Sequence, residues 1–363
     1  MKIASIRTAI VELPADEPLV GAAVNPEGKR PFVTLEIVTD DGIEGIGVTF
    51  FGGPLTPALR AAVEGLGALL IGADPLRPEQ AALTLKEAAQ GAAGGLYTLA
   101  LSAIDMALWD IKGKALGQPL WRLLGGARDR VTTYASGAVM RGLTLAQAEA
   151  AAHRLSESGF RQVKMQLALP GETSPERELE RARVVRRALA PGIALMVDIN
   201  QRWRVEEAIA IGRRLEELGL FWLEDVTQAD DFPGLARVAE ALATPVTGGE
   251  YLWGIGPFRH MLEARSVDIV MIDLVRVGGI TQWLKVAGMA EAFNLPVVSH
   301  LIPEVHVHLI AAIPNGLTVE YMPWLTRLFE EVPKPEAGEL ALPQKPGLGL
   351  AFDREALKRF RAG

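Results

Sequence analysis

Five ionisable side chains recur along this sequence at near-constant spacing, each closing a short apolar run. They are Asp198 in IALMVDIN, Glu224 in LFWLED, Glu250 in TPVTGGE, Asp273 in DIVMIDL and His300 in LPVVSH. From 198 to 224 and from 224 to 250 the interval is 26 residues both times. About 25 residues is one strand, one helix and their two loops in a parallel α/β unit. The series therefore places all five residues at the same end of successive parallel strands. When such units close into a barrel, that end carries the active site.

The surrounding pattern agrees. From Val131 onward, eight strand-like runs (VTTYASGAV, FRQVKMQLA, GIALMVDIN, LFWLED, TPVTGGE, VDIVMIDLV, LPVVSH and LTVEYM) alternate with seven amphipathic segments at 144–158, 174–190, 203–218, 231–242, 256–265, 279–293 and 304–313. Eight strands with seven helices predict an α/β fold, a (β/α)7β modified TIM barrel over 126–322. Ahead of it, KIASIRTAIVEL reads as a strand. PFVTLEIVTDDGIEGIGVTF reads as a hairpin about Asp41-Gly42, a pair suited to a type I′ or related turn. Residues 55–125 are Ala/Leu-rich and helical, so 1–125 reads as an α+β capping domain. The Pro-rich tail, 323–363, carries no eighth barrel helix and is expected to return to that domain. Between the first strand and the hairpin, VGAAVNPEGKR is rich in loop-forming residues and reads as a mobile loop.

Composition narrows the chemistry. The 363 residues include 49% hydrophobic ones, enough for a barrel core and a second, smaller unit. Net charge is −7 with no long basic run, which argues against nucleic acid as a partner. There are no cysteines, so neither disulfides nor a thiolate metal site exist. No apolar run reaches the roughly 18 residues of a membrane span, and the first residues show no secretory h-region. A soluble, cytoplasmic protein without membrane contact is the expectation.

Hard divalent cations take oxygen ligands, and Mg2+ favours a few carboxylates with positions left open for water and substrate. Asp198, Glu224 and Glu250 meet that need from three successive strands. Asp273 and His300 follow on the next two, where an Asp can hold one ring nitrogen and raise the basicity of the other. Plain ion pairing at strand ends is the bland alternative. Glycoside hydrolysis by two acids is the sharper one, but it leaves a third carboxylate, Asp273 and His300 idle. Lys164 in VKMQL points into the same mouth, and its alternation partner Gln166 does too. Glu320 in LTVEYM completes the ring on the eighth strand, and Asn200 lies two residues beyond Asp198, near the ligands. Gln166, Asn200 and Trp324 are the expected substrate-binding residues. His308 in PEVHVHL reads as packing; His306 has no assigned place.

These motifs resemble the mandelate racemase/muconate lactonizing enzyme family of the enolase superfamily, along essentially the whole chain. The segment ALSAIDMALWDIKGKALGQPLWRLLGG looks like that family's signature between capping domain and barrel. VDIN, LED, GGE, the D-x-x-R-x-GGI run at 273–280, SH at 299–300 and VE at 319–320 agree with its barrel motifs. The His–Asp pair is similar to the mandelate racemase subgroup. The resemblance implies one Mg2+ per subunit on Asp198, Glu224 and Glu250, with Mn2+ as an alternative ion. It implies a small carboxylate substrate chelated there, His300 as base oriented by Asp273, Lys164 as positive charge, and Glu320, when protonated, as hydrogen-bond donor. It further implies a homo-oligomer, with an octamer as one such state.

One departure matters. Subgroup members often carry Lys-x-Lys on the second strand, where this chain has Lys164-Met165-Gln166. Gln accepts no proton at neutral pH, and a racemase needs a base on each face of its substrate. The expectation is therefore a one-base reaction on a sugar acid: dehydration to a 2-keto-3-deoxy acid, or cycloisomerisation of an anhydro-sugar acid or lactone, with racemisation or epimerisation third. A non-catalytic sugar-acid binder would be expected to lose part of the set, yet all six of Asp198, Glu224, Glu250, Asp273, His300 and Lys164 are present. Specificity is expected in loop 20–30, around Phe50–Gly53, and in barrel loops holding Arg202–Trp203, Tyr251–Trp253 and Trp324.

Overall fold

A computed structural model describes residues 1–17, 19, 28–90, 94–171 and 174–362. Most of the expected loop at 20–30 lies outside the described residues. The chain opens with an antiparallel sheet of β1 (Ile3–Pro14), β2 (Lys29–Thr39) and β3 (Glu44–Thr49), in that order. At the β2–β3 turn only Gly42 takes left-handed φ (+86°), and its N–H donates to the Thr39 carbonyl. The turn is thus a four-residue one rather than a type I′ pair. Helices α1 (Thr56–Ala68), α2 (Pro78–Ala88), α3 (Leu96–Ala115) and α4 (Leu120–Leu123) follow.

Eight parallel strands then close on themselves: β4 (Arg130–Val139), β5 (Gln162–Gln166), β6 (Ala194–Asp198), β7 (Trp222–Glu224), β8 (Val246–Gly248), β9 (Ile269–Asp273), β10 (Val297–His300) and β11 (Gly316–Tyr321). Each pairs with the next, and β11 pairs with β4 to shut the barrel. The crossovers are α5 (Leu145–Glu157), α6 (Pro175–Ala188), α7 (Val205–Leu215), α8 (Phe232–Ala241), α9 (Gly256–Glu263), a single turn α10 (Leu274–Val277) running into α11 (Ile280–Ala292), and α12 (Pro303–Ala312). The architecture is the expected (β/α)7β barrel with a capping unit. The tail does two things. Its hairpin β12 (Pro335–Glu336) and β13 (Glu339–Ala341) adds antiparallel to the start of β4, and only then does α13 (Arg354–Phe360) reach β1.

Both faces of a parallel barrel strand are covered, so its strands read as near-continuous apolar runs. Their inward positions alternate by two. Tyr134, Met196, Trp222, Ile269, Met271 and Val298 meet inside the barrel as a buried plug. Two residues further along four of these strands stand Asp198, Glu224, Asp273 and His300. The step from apolar plug to ionisable rim is the strand period read off the sequence.

The signature segment is the joint between the two halves. Asp105 on α3 accepts the Thr281 N–H (2.9 Å) and its hydroxyl, capping α11 of the barrel. Trp109 donates its indole N–H to the same hydroxyl at 2.9 Å. Asp110 accepts N–H groups from Ile46 of β3 and Leu348 of the tail. Gly279, at φ +99°, could carry no side chain: a Cβ there would lie 2.7 Å from the Asp105 side chain. His308 packs as expected, between the Trp121 N–H and the Leu348 carbonyl.

Candidate active site

At the C-terminal rim of the barrel, Asp198, Glu224 and Asp225 each bring a carboxylate oxygen within 4.8 Å of the others, all three buried. The series had pointed to Glu250 as the third member. It stops short of this tight group, its Oε2 lying 3.2 Å from His300 Nε2. Two local breaks in regular strand geometry cause this. Asp225, just past β7, takes a left-handed φ of +46° that returns its side chain to the rim. Gly249 at φ +124° precedes Glu250 and must be glycine, since a Cβ would lie 2.5 Å from the Met271 carbonyl oxygen.

The four carboxylates crowd one another. Burial, then the charges of their neighbours, push Glu224 up to about 8 and hold Asp225 well above the carboxylate range and Glu250 above it, although Lys164 opposes the rise. Asp225 Oδ2 is buried without a hydrogen-bond partner. An all-oxygen donor set with surplus negative charge and an unsatisfied oxygen fits a hard divalent cation.

Asn200 braces this set. Its backbone N–H (2.7 Å) and side-chain amide (2.8 Å) donate to the two oxygens of Asp198. Trp222, from the plug, donates its indole N–H to Glu224 at 2.9 Å.

The expected dyad is formed. His300 Nδ1 lies 2.6 Å from Asp273 Oδ2. Burial lowers the imidazole pKa, but the Glu250 charge and the Asp273 hydrogen bond outweigh it and bring it up to about 9. Burial likewise raises Asp273, yet the His300 hydrogen bond and the Arg276 charge leave it below its ordinary value. Phe51 of the capping unit stacks on the His300 ring (centroids 6.3 Å, 9° between planes). Arg276 lies 3.9 Å from the Phe51 ring centroid and donates to the Glu250 carbonyl at 2.9 Å. The D-x-x-R run contained Arg276, but sequence reading gave it no role.

Lys164 is buried and paired with Glu224, and with Glu320 at 2.9 Å. Burial pulls its pKa down, and these two carboxylates more than reverse that, so it is a firm cation. Glu320 also accepts the Leu301 N–H at 2.6 Å. Burial raises Glu320, but Lys164 and His300 bring it down to about 2. It is therefore an acceptor in this geometry and not the protonated donor expected. Gln166, at the end of β5 and half-buried, stands in register with Asp198. Trp324 differs from its expected substrate-binding role. Its indole N–H goes to Glu17 (2.8 Å) and Arg30 lies 3.7 Å over its ring. It thus fastens residues on either side of segment 18–27. His306 donates Nδ1–H to the Leu301 carbonyl at 2.6 Å, bracing the turn after His300. No helix among the described residues is long and apolar enough to cross a membrane.

Comparison with known proteins agrees with this geometry. Residues 5–125 match the mandelate racemase / muconate lactonizing enzyme N-terminal domain, and residues 146–356 the enolase C-terminal domain-like family. An L-talarate/galactarate dehydratase of Salmonella typhimurium is 31% identical, over 98% of this chain and 90% of its own. A 3,6-anhydro-alpha-L-galactonate cycloisomerase of Streptomyces coelicolor is also 31% identical, over 99% and 100%. Among solved structures, L-talarate dehydratase from Polaromonas, complexed with Mg and L-glucarate, superposes with a TM-score of 0.91 at 31% identity, covering 100% of this chain and 98% of that one. With its capping sheet, closed barrel and rim of carboxylates, the chain belongs to the mandelate racemase/muconate lactonizing enzyme family of the enolase superfamily.

Proposed function

We propose that this protein is a Mg2+-dependent lyase that takes the α-proton from a sugar acid, leaves an enediolate and expels the β-hydroxyl, giving a 2-keto-3-deoxy acid. The observation that carries the reading is the His300–Asp273 pair, held at 2.6 Å and 3.2 Å from Glu250. Asp198, Glu224 and Glu250 would hold the cation, one per subunit, with Mn2+ as a substitute. Asp225, the third member of the tight oxygen group, stands beside them. Glu250 is preferred to Asp225 because it alone of the four also touches the base. When bound, a divalent cation there supplies positive charge that offsets Glu250 and acidifies the α-proton of a carboxylate ligand.

His300 takes that proton at Nε2, since Asp273 holds Nδ1. Reprotonated, it is placed to return the proton to a departing β-oxygen. Lys164 adds fixed positive charge towards the developing oxyanion. Held as a cation, it does not act as a second base, and Gln166 cannot. That supports one-base elimination over racemisation. A ring oxygen in place of the hydroxyl gives the cycloisomerase reading, which is supported by the full-length relative with that activity.

The test is incubation with Mg2+ and a panel of aldonic, aldaric and anhydro-sugar acids in D2O, with an EDTA control, followed by proton NMR. A 2-keto-3-deoxy product carrying deuterium at C3, absent with EDTA, is expected. Deuterated substrate or its epimer without loss of oxygen would replace the lyase with a two-base reaction.

A further inference from the structure

The chain leaves His300 through a turn whose backbone is unfavourable. β10 stays in register with β9 up to its last residue, His300 opposite Asp273. The next two residues, Leu301 and Ile302, take left-handed φ of +53° and +42°. Neither is glycine, and for a β-branched residue such as Ile302 this region is a genuine outlier. Such a conformation persists only where its surroundings over-determine it, and it clusters at functional sites. Both side chains are buried. Apolar burial holds the turn in place without fixing how its peptide planes are turned.

Two side chains fix those planes. The Leu301 N–H donates to Glu320 Oε2 at 2.6 Å, and the Leu301 carbonyl accepts His306 Nδ1–H at 2.6 Å. These groups belong to the peptide units on either side of the Leu301 Cα, and the first unit is the bond to His300. Packing alone does not explain His306, which is buried in the first turns of α12. Its Nε2 is buried without a hydrogen-bond partner, and so is the indole nitrogen of Trp283 beside it, with ring centroids 6.0 Å apart. An apolar side chain would fill this space and leave no nitrogen unpartnered. The Leu301 carbonyl is the one polar group that the His306 side chain holds among the described residues. Burial lowers its pKa to about 4 against the opposing effect of that bond, so the ring is neutral with its proton on Nδ1. His308 makes the contrast, since both of its nitrogens are used to join helix and tail.

We infer that His306 is a positioning residue for the base: through the Leu301 carbonyl, its Nδ1–H fixes the turn that follows His300 and so the direction of the His300 imidazole. The inference rests on the reading of His300 as the base in the reaction proposed above. The same turn presents the Leu301 N–H to Glu320, which pairs with Lys164, so a released carbonyl would loosen that anion as well. His306 makes no hydrogen bond or ion pair to Asp198, Glu224 or Glu250 among the described residues. Its loss therefore acts on proton transfer and leaves metal and substrate binding in place. Small displacements of a reacting group by changes outside the reacting centre cost much in rate.

The test compares wild type, His306→Leu and His306→Asn in the Mg2+-loaded enzyme. Leu fills the space without a donor, whereas the Asn amide can reach the same carbonyl. α-Proton exchange in D2O is followed on an acid that wild type turns over, with kcat and KM separated and Mg2+ affinity measured by calorimetry. His306→Leu should lower kcat by about 10- to 100-fold, with KM, Mg2+ affinity and the denaturation midpoint little changed. The isotope effect on an α-deuterated substrate should rise in that variant, as proton transfer becomes the slow step. His306→Asn should restore most of kcat. Equal kcat in all three proteins would overturn the assignment. So would a fall in kcat that comes with lost metal or a lower midpoint and is not relieved by Asn, because His306 would then be structural. If wild type exchanges no acid at all, the proposed reaction fails and the proton resonance of His300 Nδ1–H decides. A resonance displaced in His306→Leu and restored in His306→Asn keeps His306 as the residue that sets His300, and one unchanged in both removes it.

Discussion

Asp273 grips His300 with one oxygen and its own helix with the other. Oδ2 lies 2.6 Å from His300 Nδ1, while Oδ1 accepts the N–H groups of Val275 (2.9 Å) and Arg276 (2.7 Å) at the start of α10. The carboxylate is locked by its cap, so it fixes which imidazole nitrogen faces the substrate. In Asp273→Asn, an amide that keeps the cap turns its NH2 towards Nδ1. It then selects the tautomer with hydrogen on Nε2, which cannot accept a proton. α-Proton exchange in D2O should drop by about 10²- to 10⁴-fold, with Mg2+ affinity nearly unchanged by calorimetry. Exchange within a few-fold of wild type would show that His300 does not depend on Asp273.

The metal set yields a direct contest between two neighbours. Glu250→Gln should weaken Mg2+ binding at least tenfold, because it removes the carboxylate that faces both cation site and base. Asp225→Asn should change it by no more than a few-fold, since Asp198, Glu224 and Glu250, the proposed ligands, all remain. Calorimetric titration of both variants decides. The reverse order would make Asp225 the third ligand, as its place in the tight oxygen cluster allows.

The barrel was legible because burial and period coincide. Each strand shows an apolar run ending on the inward position that becomes the rim, so strand order, the missing eighth helix and the places of Asp198, Glu224, Asp273 and His300 could all be read. Asp225 was not read at all, because its φ of +46° resets the alternation beyond the strand end. Position was easier to read than charge state. Lys164 was found on β5, but Glu320 as an anion follows from its contact with Lys164, and contacts across a barrel leave no periodic trace. Trp324 was read towards the substrate because it follows the eighth strand, whereas Glu17, 307 residues earlier in the chain, claims its indole.

His308 sets an acid limit on the joint between tail and barrel. Its Nδ1 accepts the Trp121 N–H at 3.2 Å and its Nε2–H donates to Leu348 at 3.0 Å, so a second ring proton would face a donor. Burial lowers its pKa to about 4. The unfolded chain takes up that proton near pH 6.5 and the folded protein does not, so stability falls as pH drops from about 6.5 to about 4. Asp105 and Glu304, raised to about 7 by burial, tilt stability the other way over the same range. A difference measurement removes them. Relative to His308→Gln, wild type should lose about 3 kcal/mol between those pH values by urea denaturation. A pH-independent difference would mean that His308 is charged in the folded state.

Asp105 and Thr281 join the capping unit to the barrel with no solvent between them, both buried. The Asp105 carboxylate satisfies the first N–H groups of α11 and the Thr281 hydroxyl, which also receives the Trp109 indole. Asp105→Ala removes the acceptor and leaves these donors buried without partners, at about 1–3 kcal/mol for each unsatisfied group. Asp105→Asn keeps the shape and one acceptor, and it should cost less than the alanine variant. Gly279→Ala should resemble Asp105→Ala, because its methyl would displace the carboxylate and its backbone would be strained at φ +99°. Denaturation midpoints that rank wild type, then Asn, then both alanine variants would establish the joint as an acceptor held against a helix start. If Gly279→Ala left the midpoint unchanged, the close approach of α3 to that helix would not be what requires glycine there.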